Sequence, residues 1–187
     1  MMTEESVLLR RAVDSDAERL FPLVNGTAVL DTLLWDGPAS YEAFVGRWGQ
    51  HVTNGQTNVD HFFVIAHASH GPVGCCDVRP DAERFRADLG LWIGMPFQRM
   101  GIGTRAVSLL TRYAFDELGV TKIEAHVFVG NWASRRIFEK NGFELEGTIR
   151  AACRKRGRAM DEWYLGKVAF DECPVADAGV RERGKTD

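Results

Sequence analysis

The stretch Gln98-Arg99-Met100-Gly101-Ile102-Gly103-Thr104 constrains this chain more than any other. Ahead of it, Leu89 to Ile93 is an apolar run that predicts a buried strand, ended by Gly94-Met95-Pro96. Behind it, Ala106, Leu109, Leu110, Tyr113 and Ala114 recur at three- and four-residue spacing until Gly119, which predicts an amphipathic helix. A strand, a glycine loop and a helix in that order bring several unpaired backbone N–H groups to one helix start. Glycine there permits positive φ and leaves no side chain over the loop. The helix dipole adds about half a positive charge. A diphosphate is the expected guest, and a branched side chain at Gly103 is expected to stand in its place.

Three other meanings of the same glycines bear weighing. A Gly-x-Gly can be a tight strand–helix turn and nothing more. Gly101 to Ala106 also fits the dinucleotide fingerprint, which tolerates Ala in the last place. That fingerprint wants its glycines directly after the strand, whereas Pro96 to Met100 intervene here. It also wants an acidic residue at the end of the next strand, and Glu124 sits near the start of Lys122 to Phe128. A P-loop needs a lysine that is missing, since Thr104 and Arg105 follow Gly103.

Other residues extend the pattern. Gln98-x-x-Gly101-x-Gly103 resembles the coenzyme A pyrophosphate loop of the GNAT superfamily of N-acetyltransferases. Asn131-Trp132-Ala133-Ser134, followed by Glu139-Lys140-Asn141-Gly142-Phe143, is similar to the next motif of the RimJ/RimL branch, the ribosomal-protein N-terminal acetyltransferases. Asp88 to Gly94 resembles that branch too, with Asp88 where Glu is more usual. The resemblance covers about residues 7–169. It implies a single-domain α+β fold of GNAT type, with a mixed, mostly antiparallel sheet and helices on both faces. It implies acetyl-coenzyme A as cosubstrate, no metal, and a cofactor site made of Ile93, Gln98, Arg99, Met100, Gly101, Ile102, Gly103, Thr104, Asn131 and Ser134. Arg99 and Arg105 are expected to add charge for the phosphates.

The order of elements agrees. Val7 to Arg11 predicts a strand, then Asp14, Ser15 and Asp16 offer caps for a helix through Ala17, Leu20 and Val24, kinked or shortened by Pro22. Tyr41, Phe44, Val45 and Trp48 share one face of a second helix. His61 to Ala66 and Val73 to Val78 predict a hairpin turning at Ser69-His70-Gly71, and Phe85 to Ile93 a third strand before the glycine loop. Beyond the central helix come a strand over Lys122 to Val129 and a short helix capped by Asn131 and ended by Asn141-Gly142. An alternating strand over Phe143 to Ala151, a basic turn at Arg154 to Arg158 and a return strand over Glu162 to Val168 follow. Residues 174–187 read as a polar tail.

Composition limits the partners. A net charge of −3 over 187 residues gives no reason to expect nucleic acid or an anionic membrane. No apolar run approaches the ~20 residues of a membrane span, and Thr3-Glu4-Glu5 is the wrong start for a signal peptide. Cys75, Cys76, Cys153 and Cys173 show neither zinc nor disulfide spacing, so a reducing cytoplasm is the simple expectation. A monomer or a homodimer is expected.

Acetyl transfer to an amine needs a proton acceptor, a donor for the acyl oxygen and an acid for the leaving thiolate. The resemblance implies the backbone N–H near Ile93 as the oxyanion donor, Asn131 against the pantetheine arm and the Ser134 hydroxyl beside the sulfur. Strand alternation puts Arg86, Asp88, Gly90 and Trp92 on one face. Asp88 is therefore a candidate base or amine anchor, unless it is solvated or paired with Arg86. His126 is the other candidate base and Tyr164 a candidate acid. Trp35, Tyr41, Phe44 and Trp48 are mostly core, with a share in an aromatic rim left open. His51, His61, His67 and His70 are read as surface or loop residues. The expected acceptor is a primary amine, either a protein N-terminal α-amine or a small-molecule amine, attacked directly in a ternary complex. Two alternatives stay open at this point: a non-catalytic acyl-coenzyme A-binding module and an NAD-dependent Rossmann-type dehydrogenase.

Overall fold

A computed structural model describes residues 6–56 and 61–169; the expected tail at 174–187 and Cys173 lie outside them. The described residues form a seven-stranded sheet with four α-helices. In chain order these are β1 (Val7–Arg10), α1 (Asp16–Val24), α2 (Tyr41–Gln56), β2 (Phe62–His67), β3 (Gly71–Pro80), β4 (Arg86–Ile93), α3 (Ile102–Asp116), β5 (Lys122–Phe128), α4 (Trp132–Glu139), β6 (Glu144–Lys155) and β7 (Arg158–Val168). The sheet order is β1-β2-β3-β4-β5-β7-β6. Every neighbouring pair is antiparallel except β4 and β5.

Period-two alternation sends the two faces of the sheet into separate cores. Phe63, Ile65, Cys76, Val78, Leu89 and Ile93 pack with Ile102, Ala106 and Leu110 of α3 and Phe138 of α4. Their strand neighbours Val64 and Cys75, with partly buried Phe62 and Trp92, pack with Leu20 and Val24 of α1 and Phe44 and Trp48 of α2. The expected α+β architecture with helices on both faces is what forms.

The parallel pair is the unusual element. β4 and β5 share only three register positions, Arg86 with Lys122, Ala87 with Ile123 and Asp88 with Glu124. Beyond Asp88, β4 follows β3 as far as the Gly74–Ile93 pair, while β5 follows β7 as far as the Phe128–Glu162 pair. The strands part, and a gap opens between them.

Several local expectations need correction. α1 ends two residues after Pro22, and Ser15 makes no side-chain cap. Asp16 instead turns back, accepting from the Val13 N–H at 3.0 Å and from Arg10 at 2.6 and 2.7 Å. In α2, Phe44 and Trp48 are buried but Tyr41 and Val45 are exposed. The segment Val29 to Trp35, which shows no period, holds a short 3-10 turn over Ala28–Thr32. His61 and His67 are buried, not on the surface, and a His61 ring nitrogen lies 3.0 Å from the Tyr113 hydroxyl. The last hairpin is longer than its pattern, with a turn of only Arg156-Gly157. Register shifts after Leu145 and Ile149 break the alternation in β6, so both side chains are exposed.

That hairpin is tied to a distant segment. Lys155 is 6% exposed; its Nζ donates to the Trp35 carbonyl at 2.8 Å and pairs with Asp36 at 2.5 Å. Arg156 adds an ion pair to Asp31 at 2.8 Å. The Lys155 hydrogen bond, more than the nearby charges, holds the Asp36 carboxyl below its ordinary value. A depressed carboxyl stabilises the fold above its unfolded pKa and loses that contribution as pH falls from about 4 through its own pKa. Lys155→Met is expected to cost about 1.5–2 kcal/mol by urea denaturation at pH 7, the net value of the hydrogen bond from a charged donor to the Trp35 carbonyl. The difference from wild type should narrow below pH ~4.

Candidate active site

The glycine loop has the backbone its composition predicts. Gly101 caps α3 at φ 76°, and Arg99 also holds a positive φ of 62°. The first helical hydrogen bond runs from the Arg105 N–H to the Gly101 carbonyl at 3.1 Å. The N–H groups of Ile102, Gly103 and Thr104 come before it and have no partner within the helix. Gly103 lines the groove and also has a packing role. It is buried, and a Cβ there would lie 2.7 Å from Ile137 Cδ1 and 3.2 Å from Ile93 Cδ1. The missing side chain lets α3 sit against α4 and the end of β4.

Gln98 also lines the groove. Its side-chain amide donates to the Ile93 carbonyl at 2.9 Å, tying the loop to the end of β4. The side chains of Met100 and Ile102 turn into the core, so only their backbone can face a cofactor.

On the same side, Asn131 Oδ1 accepts from the Ser134 N–H at 3.2 Å, which makes it the cap of α4. The half-buried Ser134 makes no side-chain hydrogen bond to any described residue. Asn141 donates to the Ile137 carbonyl at 2.8 Å and the Thr104 carbonyl at 3.1 Å, bracing the end of α4 on the first turn of α3. Arg99, Arg136 and Lys140 line the groove here; Arg105 does not. Arg136 and Lys140 escaped the sequence reading because a helix this short shows no sign of which face meets a cleft.

A groove of about 860 Å³ runs from this loop through the gap between β4 and β5. At its far side stand Asp88, His126 and Glu162, and Ala28, Val29, Thr32, Leu33 and Leu34 also line it. His126 Nε2 lies 3.7 Å from Asp88, and Nδ1 lies 3.2 Å from Glu162. Arg86 pairs with Asp81 and Glu124 and leaves Asp88 to the histidine. Sequence reasoning named Asp88 and His126 separately and missed Glu162, which is adjacent only because β7 pairs with β5. Tyr164 packs edge-on to His126 with ring centroids 5.1 Å apart. Cys153 also lines the groove, and its thiol is pushed up to about 11, first by desolvation and then by Glu162.

The backbone in the gap supplies donors. The Gly94 N–H bonds to Val73 in β3 at 2.9 Å, so by strand alternation the N–H groups of Ile93 and Leu91 point the other way, to the side β5 has left. A diphosphate at the loop and an acyl group at the gap fit the donors present.

The acetyltransferase (GNAT) domain model matches residues 6–144, and the chain belongs to that family. Two curated relatives are YdaF of Bacillus subtilis, an N-acetyltransferase assigned by name only to ribosomal targets, and the L-amino acid N-acetyltransferase AaaT of Escherichia coli. YdaF is 37% identical over 45% of this chain and 46% of its own length; AaaT is 28% identical over 44% and 51%. These matches span about half the length of the relatives. Among solved structures, microcin C7 self-immunity acetyltransferase MccE, in complex with acetyl-CoA and AMP, superposes with a TM-score of 0.76 at 22% identity, over 88% of this chain and 93% of its own. Spermidine N-acetyltransferase of Vibrio cholerae gives 0.76 at 20%, over 87% and 95%. The fold is shared. The family match replaces the dehydrogenase reading, and Glu124 is engaged by Arg86 and Lys122.

Two outcomes follow from the geometry. Gly103→Val crowds the side chains of Ile137 and Ile93 at the groove wall, and is expected to weaken acetyl-coenzyme A binding at least tenfold by calorimetry, about 1.4 kcal/mol. The thiolate of Cys153 is scarce at neutral pH. Its modification by iodoacetamide at pH 7.5, followed by mass spectrometry of the peptide, should be at least about tenfold slower than that of a free thiol.

Proposed function

We propose that this chain is an N-acetyltransferase moving an acetyl group from acetyl-coenzyme A to a primary amine by direct attack in a ternary complex. The carrying observation is the groove itself, which joins the glycine loop on one side of the sheet to Asp88, His126 and Glu162 on the other. When bound, acetyl-coenzyme A supplies an activated acyl group as a thioester.

The residues divide the work by position. The N–H groups of Ile102 to Thr104, with Arg99, Arg136 and Lys140, hold the diphosphate at the helix start. The Ile93 N–H faces the acyl oxygen, and a backbone donor of this kind contributes about 3–4 kcal/mol to transition-state stabilisation. Asp88 and Glu162 draw the acceptor ammonium into the gap and orient His126 between them. His126 takes the proton that the amine must lose, and the Ser134 hydroxyl gives one to the departing sulfur. Asn131 keeps Ser134 at the head of α4. The raised Cys153 thiol makes a poor nucleophile, which favours direct transfer over an acyl-cysteine route.

An α-amine suits this site better than a lysine. With a pKa of about 7.9 it is roughly a tenth neutral at pH 7, against about one part in two thousand for lysine near 10.4. That gap is worth about 3.4 kcal/mol. A cytoplasmic setting accords with the free thiols of Cys75, Cys76 and Cys153.

The test of the reading is free thiol release from acetyl-coenzyme A with a panel of amines, beside thermal shift with acetyl-coenzyme A and with NAD. Amine-dependent release and stabilisation by acetyl-coenzyme A alone are expected; binding without release to any amine would leave a binding module. Ser134→Ala should lower kcat about ten- to a hundredfold while acetyl-coenzyme A affinity changes little, since a transition-state contact is lost. His126→Gln should lower kcat/KM about a hundredfold. Wild-type kcat/KM in that variant would move the base elsewhere.

A further inference from the structure

Beside the groove, on the α1–α2 side of the sheet, lies a second chamber of about 260 Å³. Its walls include Leu33, Trp35, Phe62, Trp92 and the buried Cys75. The two cavities adjoin, sharing Leu33, Leu34, Arg79, Gly90, Leu91 and Trp92 in their linings. Resting on the function proposed above, we propose that this chamber holds the side chain of the acceptor, and that the acceptor is an α-amine bearing an apolar, ring-sized side chain.

Size and polarity argue for the class. A dry apolar cavity of about 150 Å³ takes up benzene, so 260 Å³ lined by two indoles, a phenyl and leucine accommodates a phenyl or indole ring. Aromatic walls favour such a guest through edge and offset contacts. The charged side chains in the lining are Asp77 and Arg79, and they are paired with each other. A polyamine would bring a second ammonium towards the Arg79 guanidinium, with the nearest carboxylate already engaged. An apolar side chain meets no such cost.

Position argues for the connection. Gly90 shares a strand face with Asp88 and lies two residues along β4, about 6.6 Å away. An α-nitrogen held at Asp88 and His126 therefore puts its own side chain at the chamber mouth. At Gly90 a Cβ would lie 2.5 Å from Asp77 Oδ1 and 3.0 Å from Arg79 Nη1, so the glycine makes room for that ion pair beside the chamber. The Asp77–Arg79 pair lies across the bare strand at the joint between the cavities. Lys155 fixes the opposite wall by holding the Trp35 carbonyl. The shared chemistry is an α-ammonium on a carbon that carries both an apolar side chain and a carbonyl group. A free amino acid and a peptide N-terminus present it alike.

The test uses the full chain with acetyl-coenzyme A and compares kcat/KM for phenylalaninamide, glycinamide, L-phenylalanine, a Phe-Ala dipeptide and spermidine. Phenylalaninamide should exceed glycinamide by at least about thirtyfold, the scale of a filled apolar pocket. Faster turnover of the free acid, or of the dipeptide, would assign the source while keeping the chamber's role. Binding is read independently by quenching of tryptophan fluorescence on titration with phenylalaninamide. Leu33→Trp, which narrows the mouth, should cut the phenylalaninamide-to-glycinamide ratio at least about tenfold, and Leu33→Ala should shift preference towards tryptophanamide. Glycinamide or spermidine used as well as phenylalaninamide would overturn the proposal, as would a ratio unmoved in both folded variants. If no amine is acetylated, the enzymatic reading fails. Saturable binding of phenylalaninamide but not of glycinamide would then still uphold the chamber, and its absence would overturn it.

Discussion

The structure depends on a parallel strand pair that stops after three positions. β3 holds β4 along its length and β7 holds β5 along its length, so each strand keeps one full ladder and loses the other beyond Asp88. Backbone groups left facing the gap each carry a desolvation cost of about 1–3 kcal/mol if buried without a partner. One of them is satisfied within the chain, the Ile93 carbonyl by the Gln98 amide. The N–H groups of Leu91 and Ile93 stay open to a ligand. A sheet interrupted in its middle, with packed cores on both faces, is a rigid frame around a hole.

The rest of the site follows from that hole having two ends. On one face, packing of α3 against α4 through Gly103 and Ile137 sets a helix start beside the capped start of α4. The start of α3 and Ser134 thereby line the same cleft. On the other face, alternation along β4, β5 and β7 presents Asp88, His126 and Glu162 in a row. In the transfer proposed above, the cofactor and the amine approach from opposite sides of the sheet and meet in the gap.

The α1–α2 side of the groove is built from distant pieces. The segment around Leu33 to Asp36 has no regular structure to hold it, yet it walls both cavities. It is held by Lys155 and Arg156 at the tip of the last hairpin, far along the chain. Register shifts in β6 aim Cys153 towards Glu162 and carry Ala151 to φ 49°, with its N–H on Asp161 at 2.8 Å. Strain of that kind persists only where the surroundings over-determine it.

Local chemistry made much of this legible in advance. Gln98 to Thr104 and Asn131 to Ser134 are short-range devices, a positive-φ glycine before a helix and an Asx cap, and their physics is complete within a few residues. Strand periodicity likewise put Asp88, Gly90 and Trp92 on one face. What the amino-acid order alone determined was therefore the element sequence, the glycine loop before α3 and the faces of β4. Only the tertiary structure decided the partner of each group: Glu162 behind His126, Lys155 beneath Trp35, Ile137 over Gly103 and Arg136 in the cleft. Those pairings depend on strand order and register across the whole sheet, and no local spacing encodes them. The same holds for the end of the β4–β5 pair, beyond which each strand stays paired only with its outer neighbour.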